Sequence, residues 1–210
     1  MGRAAALKPG HRTDGPTPLA RSELPSDTAS LARYLIGKVV VRELPEGVVS
    51  GRIVETEAYV VGDAAGHAYR GLTGRNRSLF LERGHAYIYL AYGTSYLLNV
   101  SSEMPGIGAG VLIRAMEPLE GIAIMQLNRG IARWRDLARG PGRLAAALRV
   151  DRRLDGLDLC REGPLWLGRG DQPGEIGQSI RIGISRERNR LLRFYLRGSP
   201  FVSGPRSLRE

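Results

Sequence analysis

The alternation of apolar and polar positions changes period several times along this chain, and those changes outline its elements. Leu31, Tyr34 and Leu35 recur at helical spacing behind three cap-forming residues, Ser26, Asp27 and Thr28, with Gly37 following, so a short helix is expected there. β-Branched residues then take over: residues 38–44 and 48–59 flank Pro45-Glu46-Gly47 and read as two strands joined by a hairpin. Strand patterns return at 86–92, 96–101 and 110–117, helical spacing at 119–129 and 142–150, and strand-like runs at Trp166, 180–184 and 192–196. Residues 62–76 fit neither period. They are polar and glycine-rich, and loops of that length in a compact chain more often bind something than merely connect. Strands outnumber helices and hairpin links dominate, which predicts a mixed α/β (α+β) domain on a mostly antiparallel sheet.

A chain of 210 residues can fill one core and is short for two domains. Its start is rich in Gly, Pro, Ala and Arg without apolar periodicity, so residues 1–23 are expected to form a disordered basic arm ahead of a domain over 24–210. No apolar run reaches membrane-spanning length and no secretory signal is evident, which points to a cytoplasmic protein with no membrane partner. Cys160 is the single cysteine, so no internal disulfide can form and the glycosylation-like triplets at Asn76 and Asn99 carry no weight.

Charge narrows the class of partner. The chain has 31 basic and 21 acidic residues, net +10, and 29 of the basic ones are arginine. Leaving out residues 1–22 (Arg3, Lys8, Arg12 and Arg21 against Asp14) still leaves +7 on residues 23–210. Arginine forks match phosphate oxygens and stack on bases, so this balance suits nucleic acid.

Several motifs carry no chemistry. Gly106, Gly108 and Gly110 lead into a strand rather than a helix, which makes them a turn and not a dinucleotide loop. The three histidines have no metal-ligand spacing, and no Ser or Cys sits in a nucleophile elbow.

What remains is a carboxylate and aromatic set. Glu55, Glu57 and Tyr59 share one face of their strand, Tyr87 and Tyr89 one face of another, and four of the eight tyrosines fall within ten residues. If the two faces meet, a flat ring can lie between tyrosines beside a carboxylate. Arg114, inside the apolar run Val111-Leu112-Ile113-Arg114-Ala115, needs an anionic partner if buried, and Glu57 is available. Glu55 is a rival for any catalytic role, since two carboxylates could act as a sugar-hydrolase pair. The same residues leave two other classes open, a non-catalytic nucleic-acid binding module and a small-molecule nucleoside hydrolase.

Taken in order, RIVETEAY (52–59), Asp63 with His67, RGLTGRN (70–76), GHAYIYLAYG (84–93), LLNVSS (97–102), VLIRAMEPLEG (111–121), RGPGRLAAAL (139–148) and RFYLRGSPFVS (193–203) resemble the alkyladenine (3-methyladenine) DNA glycosylases. The resemblance implies a single mixed domain on a curved antiparallel sheet, like a formyltransferase C-terminal domain. It also implies a monofunctional, nucleoid-associated base-excision repair enzyme, most simply a monomer, that acts on double-stranded DNA with no metal or organic cofactor. The substrates in the family's reach are 3-methyladenine, 7-methylguanine, hypoxanthine and etheno-adenine. Carried over by position, Glu57 activates water and Arg114 helps hold it. Tyr59 and His67 cover one face of a flipped base and Tyr89 the other; Asn99 opposes the guanine amino group, and Tyr92 enters the duplex as a wedge. Gly66 and Gly74 stand where relatives have bulkier residues, which loosens the loop that carries His67.

Overall fold

The computed structural model describes residues 15–208. Among these, eight strands and three α-helices build one α+β domain, with the sheet curved into a half-barrel. The strands are β1 (Val39–Leu44), β2 (Gly47–Tyr59), β3 (Ala86–Ala91), β4 (Ser95–Ser101), β5 (Gly110–Glu120), β6 (Leu165–Gly168), β7 (Ile176–Ser179) and β8 (Arg193–Leu196). Every pairing is antiparallel. The main order is β3-β4-β5-β2-β1-β6, and β8 pairs with both the distal part of β2 and β7.

Three helices cover one face: α1 (Thr28–Tyr34), α2 (Ile122–Arg129) and α3 (Pro141–Ala147). Asp27 caps α1 by accepting the Ser30 amide at 2.7 Å, an interaction worth about 1 kcal/mol. The main core joins Leu31, Leu35, Met125, Leu144 and Leu148 to Ile53, Ile88, Ile113 and Met116 of the sheet. Each such side chain contributes roughly 1.5–3 kcal/mol on burial.

Two opposed irregularities shape the centre of the sheet. Ile53 pairs with Met116 but Glu55 pairs with Ala115, so Val54 is an extra residue in β2. One step on, Thr56 pairs with Ile113, so Arg114 is an extra residue in β5 and the register is restored. Strict alternation would place residues three apart on opposite faces. The bulges instead let Ile113 and Met116 both enter the main core, while Val54 and Ala115 join a second cluster with Tyr195, Phe201 and Val202. Arg114 is thereby re-aimed at the β2 carboxylates.

Four sequence expectations shift. β5 runs on through Pro118 to Glu120, and α2 starts only at Ile122, because Gly121 adopts a left-handed conformation (φ 70°) that ends the strand. The helix expected over 142–150 is the shorter α3. The strand expected over 180–184 is instead β7 at Ile176–Ser179, and residues 180–184 are irregular because their polar groups bond to β2: Ile182 N–H donates to Glu57 and Arg181 to the Ala58 carbonyl. The arm expected over residues 1–23 lies outside the described residues as far as residue 14. Its last part is packed: the Leu19 amide donates to the Leu167 carbonyl, Leu19 is fully buried, and Arg21 pairs with Asp158 at 2.7 Å. One apolar side chain with a core slot is enough to fix that segment. No helix among the described residues is long and apolar enough to cross a membrane.

Candidate active site

Six charged residues are buried among the described residues, three carboxylates (Glu55, Glu57, Asp63) and three guanidiniums (Arg114, Arg181, Arg193). They form one compact group on the sheet face away from the helices. Glu55 accepts from Arg114 Nε at 2.9 Å, Arg193 Nε at 2.7 Å and the Ser203 amide at 2.7 Å. Burial by itself would push its carboxyl up; the Arg114 and Arg193 charges, with the hydrogen bonds from Arg193 and Ser203, outweigh that and hold it below the usual carboxylate range.

Glu57 is fully buried and differently partnered. Its Oε1 accepts the Ile182 amide at 2.7 Å, and its Oε2 meets the Tyr59 hydroxyl at 3.0 Å and Arg114 Nη1 at 3.2 Å. A carboxylate offers about four acceptor sites, so these three donors leave room for one more. Arg114 bridges the two glutamates. Burial opposes its charge, but Glu57 and Glu55 outweigh it and raise its pKa further.

A cavity of about 610 Å³ opens beside this group, lined among others by Tyr59, His67, Tyr89, Asn99, Arg114 and Ile182. Neither glutamate lines it. Glu57 stands directly behind Tyr59, Arg114 and Ile182, all of which do, whereas Arg193 and Ser203, which hold Glu55, do not. The position next to the cavity therefore goes to Glu57, and Glu55 fixes Arg114.

The aromatic residues form two walls, and their division differs from the sequence expectation. His67 was expected to share a face with Tyr59 and oppose Tyr89. Its ring instead lies 4.3 Å from Tyr89, edge-on, and its Nδ1 shares a hydrogen bond with the Tyr87 hydroxyl at 2.9 Å. A ring held between two others needs about 7 Å, two van der Waals contacts, so nothing flat fits between His67 and Tyr89. His67, Tyr87 and Tyr89 make one wall, with the two tyrosines stacked at 5.4 Å, and Tyr59 stands on β2 away from them. Burial raises the Tyr87 and Tyr89 hydroxyls to about 12 and, with Glu57 adjacent, raises Tyr59 as well. Burial, aided by the Arg75 charge, lowers the His67 pKa, so the imidazole is neutral at neutral pH.

A row of register partners crosses five strands, and its first three members, Tyr87, Asn99 and Leu112, line the cavity. Tyr87 opposes Asn99, Asn99 opposes Leu112, Leu112 opposes Glu57 and Glu57 opposes Arg193. Asn99 donates from Nδ2 to the Tyr87 carbonyl at 3.2 Å and lines the cavity. At the rim, Tyr92 is 92% exposed on the β3–β4 turn, where it and Gly93 both have positive φ (51° and 70°), as a type I′ turn requires. For tyrosine that conformation costs on the order of 1–2 kcal/mol.

Two groups escaped the sequence reading. Asn76, given no role in the sequence beyond closing the RGLTGRN run and heading a glycosylation-like triplet, is the hub of the 62–76 loop. Its Oδ1 accepts from the Thr73 amide (2.7 Å) and hydroxyl (2.9 Å), and its Nδ2 donates to the His67 (2.9 Å) and Gly71 (3.0 Å) carbonyls. Arg181 forms a two-pronged buried ion pair with Asp63 and lies over the Tyr59 ring, 4.6 Å from its centroid. The repeated loop polarity hinted at Asn76; nothing local in the sequence marks Arg181.

A model of the methylpurine-DNA glycosylase family matches residues 22–200. A relative from Mesorhizobium japonicum is 76% identical over 211 residues, spanning 100% of both chains. One from Paraburkholderia phytofirmans is 54% identical over 91% of this chain and 90% of its own, and one from Rubrobacter xylanophilus 48% identical over 83% and 91%. All three have names that include the words 3-methyladenine DNA glycosylase. On a match of this extent, the chain belongs to the methylpurine-DNA glycosylase family, hydrolases that cut N-glycosyl bonds in DNA.

Proposed function

We propose that this DNA glycosylase rotates a damaged purine out of the duplex, lodges it between Tyr59 and the His67–Tyr89 wall, and cuts its N-glycosidic bond with a water activated by Glu57. The observation that carries the reading is the Glu57 carboxylate, buried behind the cavity wall and held by Tyr59, Ile182 and Arg114. A general base must lie within hydrogen-bond reach of the water it deprotonates; Arg114 sits 3.2 Å from the Glu57 carboxylate as its counter-charge, and one acceptor site is left for that water. The proton moves from water to Glu57 as the hydroxyl oxygen bonds to the sugar carbon and the base departs with the glycosidic electron pair.

Stacking contributes roughly 1–3 kcal/mol per base and extrusion costs a few kcal/mol, least for damaged or mispaired bases. Such a slot roughly offsets flipping and leaves discrimination to the pocket. Asn99, which pairs with Leu112 and lines the cavity, opposes the guanine amino group, and the projecting Tyr92 fills the gap left in the stack. Candidate substrates are 3-methyladenine, 7-methylguanine, hypoxanthine and etheno-adenine.

The test is a panel of duplexes, each with one of these bases, assayed for abasic sites with wild type and Glu57→Gln. Wild type is expected to release at least one of them, and Glu57→Gln to bind the same duplex while releasing the base 10² to 10⁴ times more slowly, roughly. Release by Glu57→Gln at the wild-type rate would remove Glu57 from the mechanism, and activity on free nucleosides alone would favour a nucleoside hydrolase.

A further inference from the structure

The Asp63–Arg181 pair joins the binding loop to the irregular segment after β7, and both side chains are fully buried. Arg181 lies over one face of Tyr59, which leaves the other face for the cavity that Tyr59 lines. Whatever stacks on that free face therefore has a guanidinium behind the ring. With 4.6 Å on the arginine side and an ordinary ring contact on the other, the separation is about 8 Å. At an effective dielectric constant near 20, two like unit charges at that range disfavour each other about 30-fold.

Asp63 cancels this. Its carboxylate takes both prongs of Arg181, and Arg190, which lies 3.9 Å from it, is partly exposed and solvated. The other buried charges near Tyr59 balance, Glu57 at its hydroxyl with Arg114 behind it and Glu55 with Arg193 beyond, while the two further arginines that line the cavity, Arg75 over the Tyr89 ring and Arg186, are exposed and screened by solvent. In DNA, 3-methyladenine and 7-methylguanine carry a positive charge because the methyl group quaternises a ring nitrogen that had no hydrogen, whereas hypoxanthine and etheno-adenine are neutral. Resting on the function proposed above, we propose that Asp63 is a specificity-determining residue: by neutralising Arg181 behind Tyr59 it keeps the slot open to cationic bases. Removing the Asp63 charge turns the backing of Tyr59 positive and selects against charged bases without changing the shape of the slot, since asparagine can still accept the Ala65 amide that Asp63 Oδ1 now holds at 2.9 Å.

The experiment measures single-turnover release of 7-methylguanine and of hypoxanthine from otherwise identical duplexes, and takes the ratio of the two rates. Wild type, Asp63→Asn, Arg181→Gln and the double variant are compared. The ratio is expected to fall about 10-fold or more in Asp63→Asn, to return to within about threefold of wild type in the double variant, and not to fall in Arg181→Gln. A purely structural role would slow both bases together. Equal losses in Asp63→Asn, or a double variant as skewed as the single one, would overturn the proposal. Should Asp63→Asn not fold, a fall of the ratio in Arg181→Gln or in the double variant overturns it equally, and an unchanged or higher ratio supports it. Failure of wild type to release either base sinks the underlying function; an unchanged ratio in Asp63→Asn, with wild type active, sinks only the role of Asp63.

Discussion

Glu57 and Asn99 are register partners of the same residue, Leu112, approached from its two sides. Opposed residues of antiparallel strands point to one face, and neighbouring strands lie about 4.8 Å apart. The carboxylate proposed to activate water and the amide proposed to oppose the guanine amino group thus stand two strands apart, with the Leu112 side chain between them. The sheet sets that spacing, and no loop movement alters it.

The two glutamates should respond differently to the same change. Glu55→Gln leaves Arg114 and Arg193 buried without their shared counter-charge, a loss of about 3–5 kcal/mol. Glu57→Gln leaves Arg114 paired to Glu55. Urea unfolding is expected to show a large drop for Glu55→Gln and a much smaller one for Glu57→Gln, while both lose base release. Equal stability losses would contradict the separation of roles.

Tyr92 sits in a conformation that glycine or asparagine adopts at little cost. Tyr92→Gly should therefore stabilise the protein by about 1 kcal/mol in urea unfolding, while lesion-duplex binding weakens roughly tenfold or more through loss of an inserted ring. A less stable variant, or one that binds as tightly as wild type, would show that the turn is not held for the wedge.

Acid should act in two stages. The His67 pKa is lowered on folding, so the unfolded chain takes up a proton first, and stability begins to fall as pH drops below about 6.5, the ordinary imidazole value. The Glu55 pKa is also lowered; its contribution is fully present above the unfolded carboxylate value of 4.5 and is lost as pH falls through the lower folded value. Urea midpoints measured between pH 7 and 3 should decline over both windows. In His67→Gln the upper stage should shrink; its persistence would assign that stage elsewhere.

Asn76 ties the 62–76 loop together through four hydrogen bonds, one of them to the His67 carbonyl. Asn76→Ala is expected to open the 62–76 loop to limited proteolysis and to reduce base release at least tenfold, roughly, with the core intact. A loop as protease-resistant as that of wild type would show that the remaining contacts suffice.

The strands were legible because one face is apolar and the period of two survives along most of each, and the Glu57–Arg114 contact followed from the cost of burying a lone arginine. The bulges at Val54 and Arg114 were not legible, since a single extra residue leaves the local pattern almost unchanged. The alternation around Ile180, Ile182 and Ile184 imitates a strand, but Glu57 claims the Ile182 amide that a ladder would use. The place of His67 against Tyr87 and Tyr89 was not legible, because its partner, the Tyr87 hydroxyl, lies 20 residues away and is chosen only when the loop folds back. The Asp63–Arg181 pair spans 118 residues and shows no local signature at all.

The electrical neutrality of the buried sextet has a consequence for how such an enzyme can change. Glu55, Glu57 and Asp63 cancel Arg114, Arg181 and Arg193, so the whole of the chain's +10 lies outside that group. Attraction to a polyanion and the proposed proton transfer from water to Glu57 consequently fall to separate populations of side chains. Outer arginines can be gained or lost, retuning how long the protein dwells on a duplex, while the reacting centre keeps its poise.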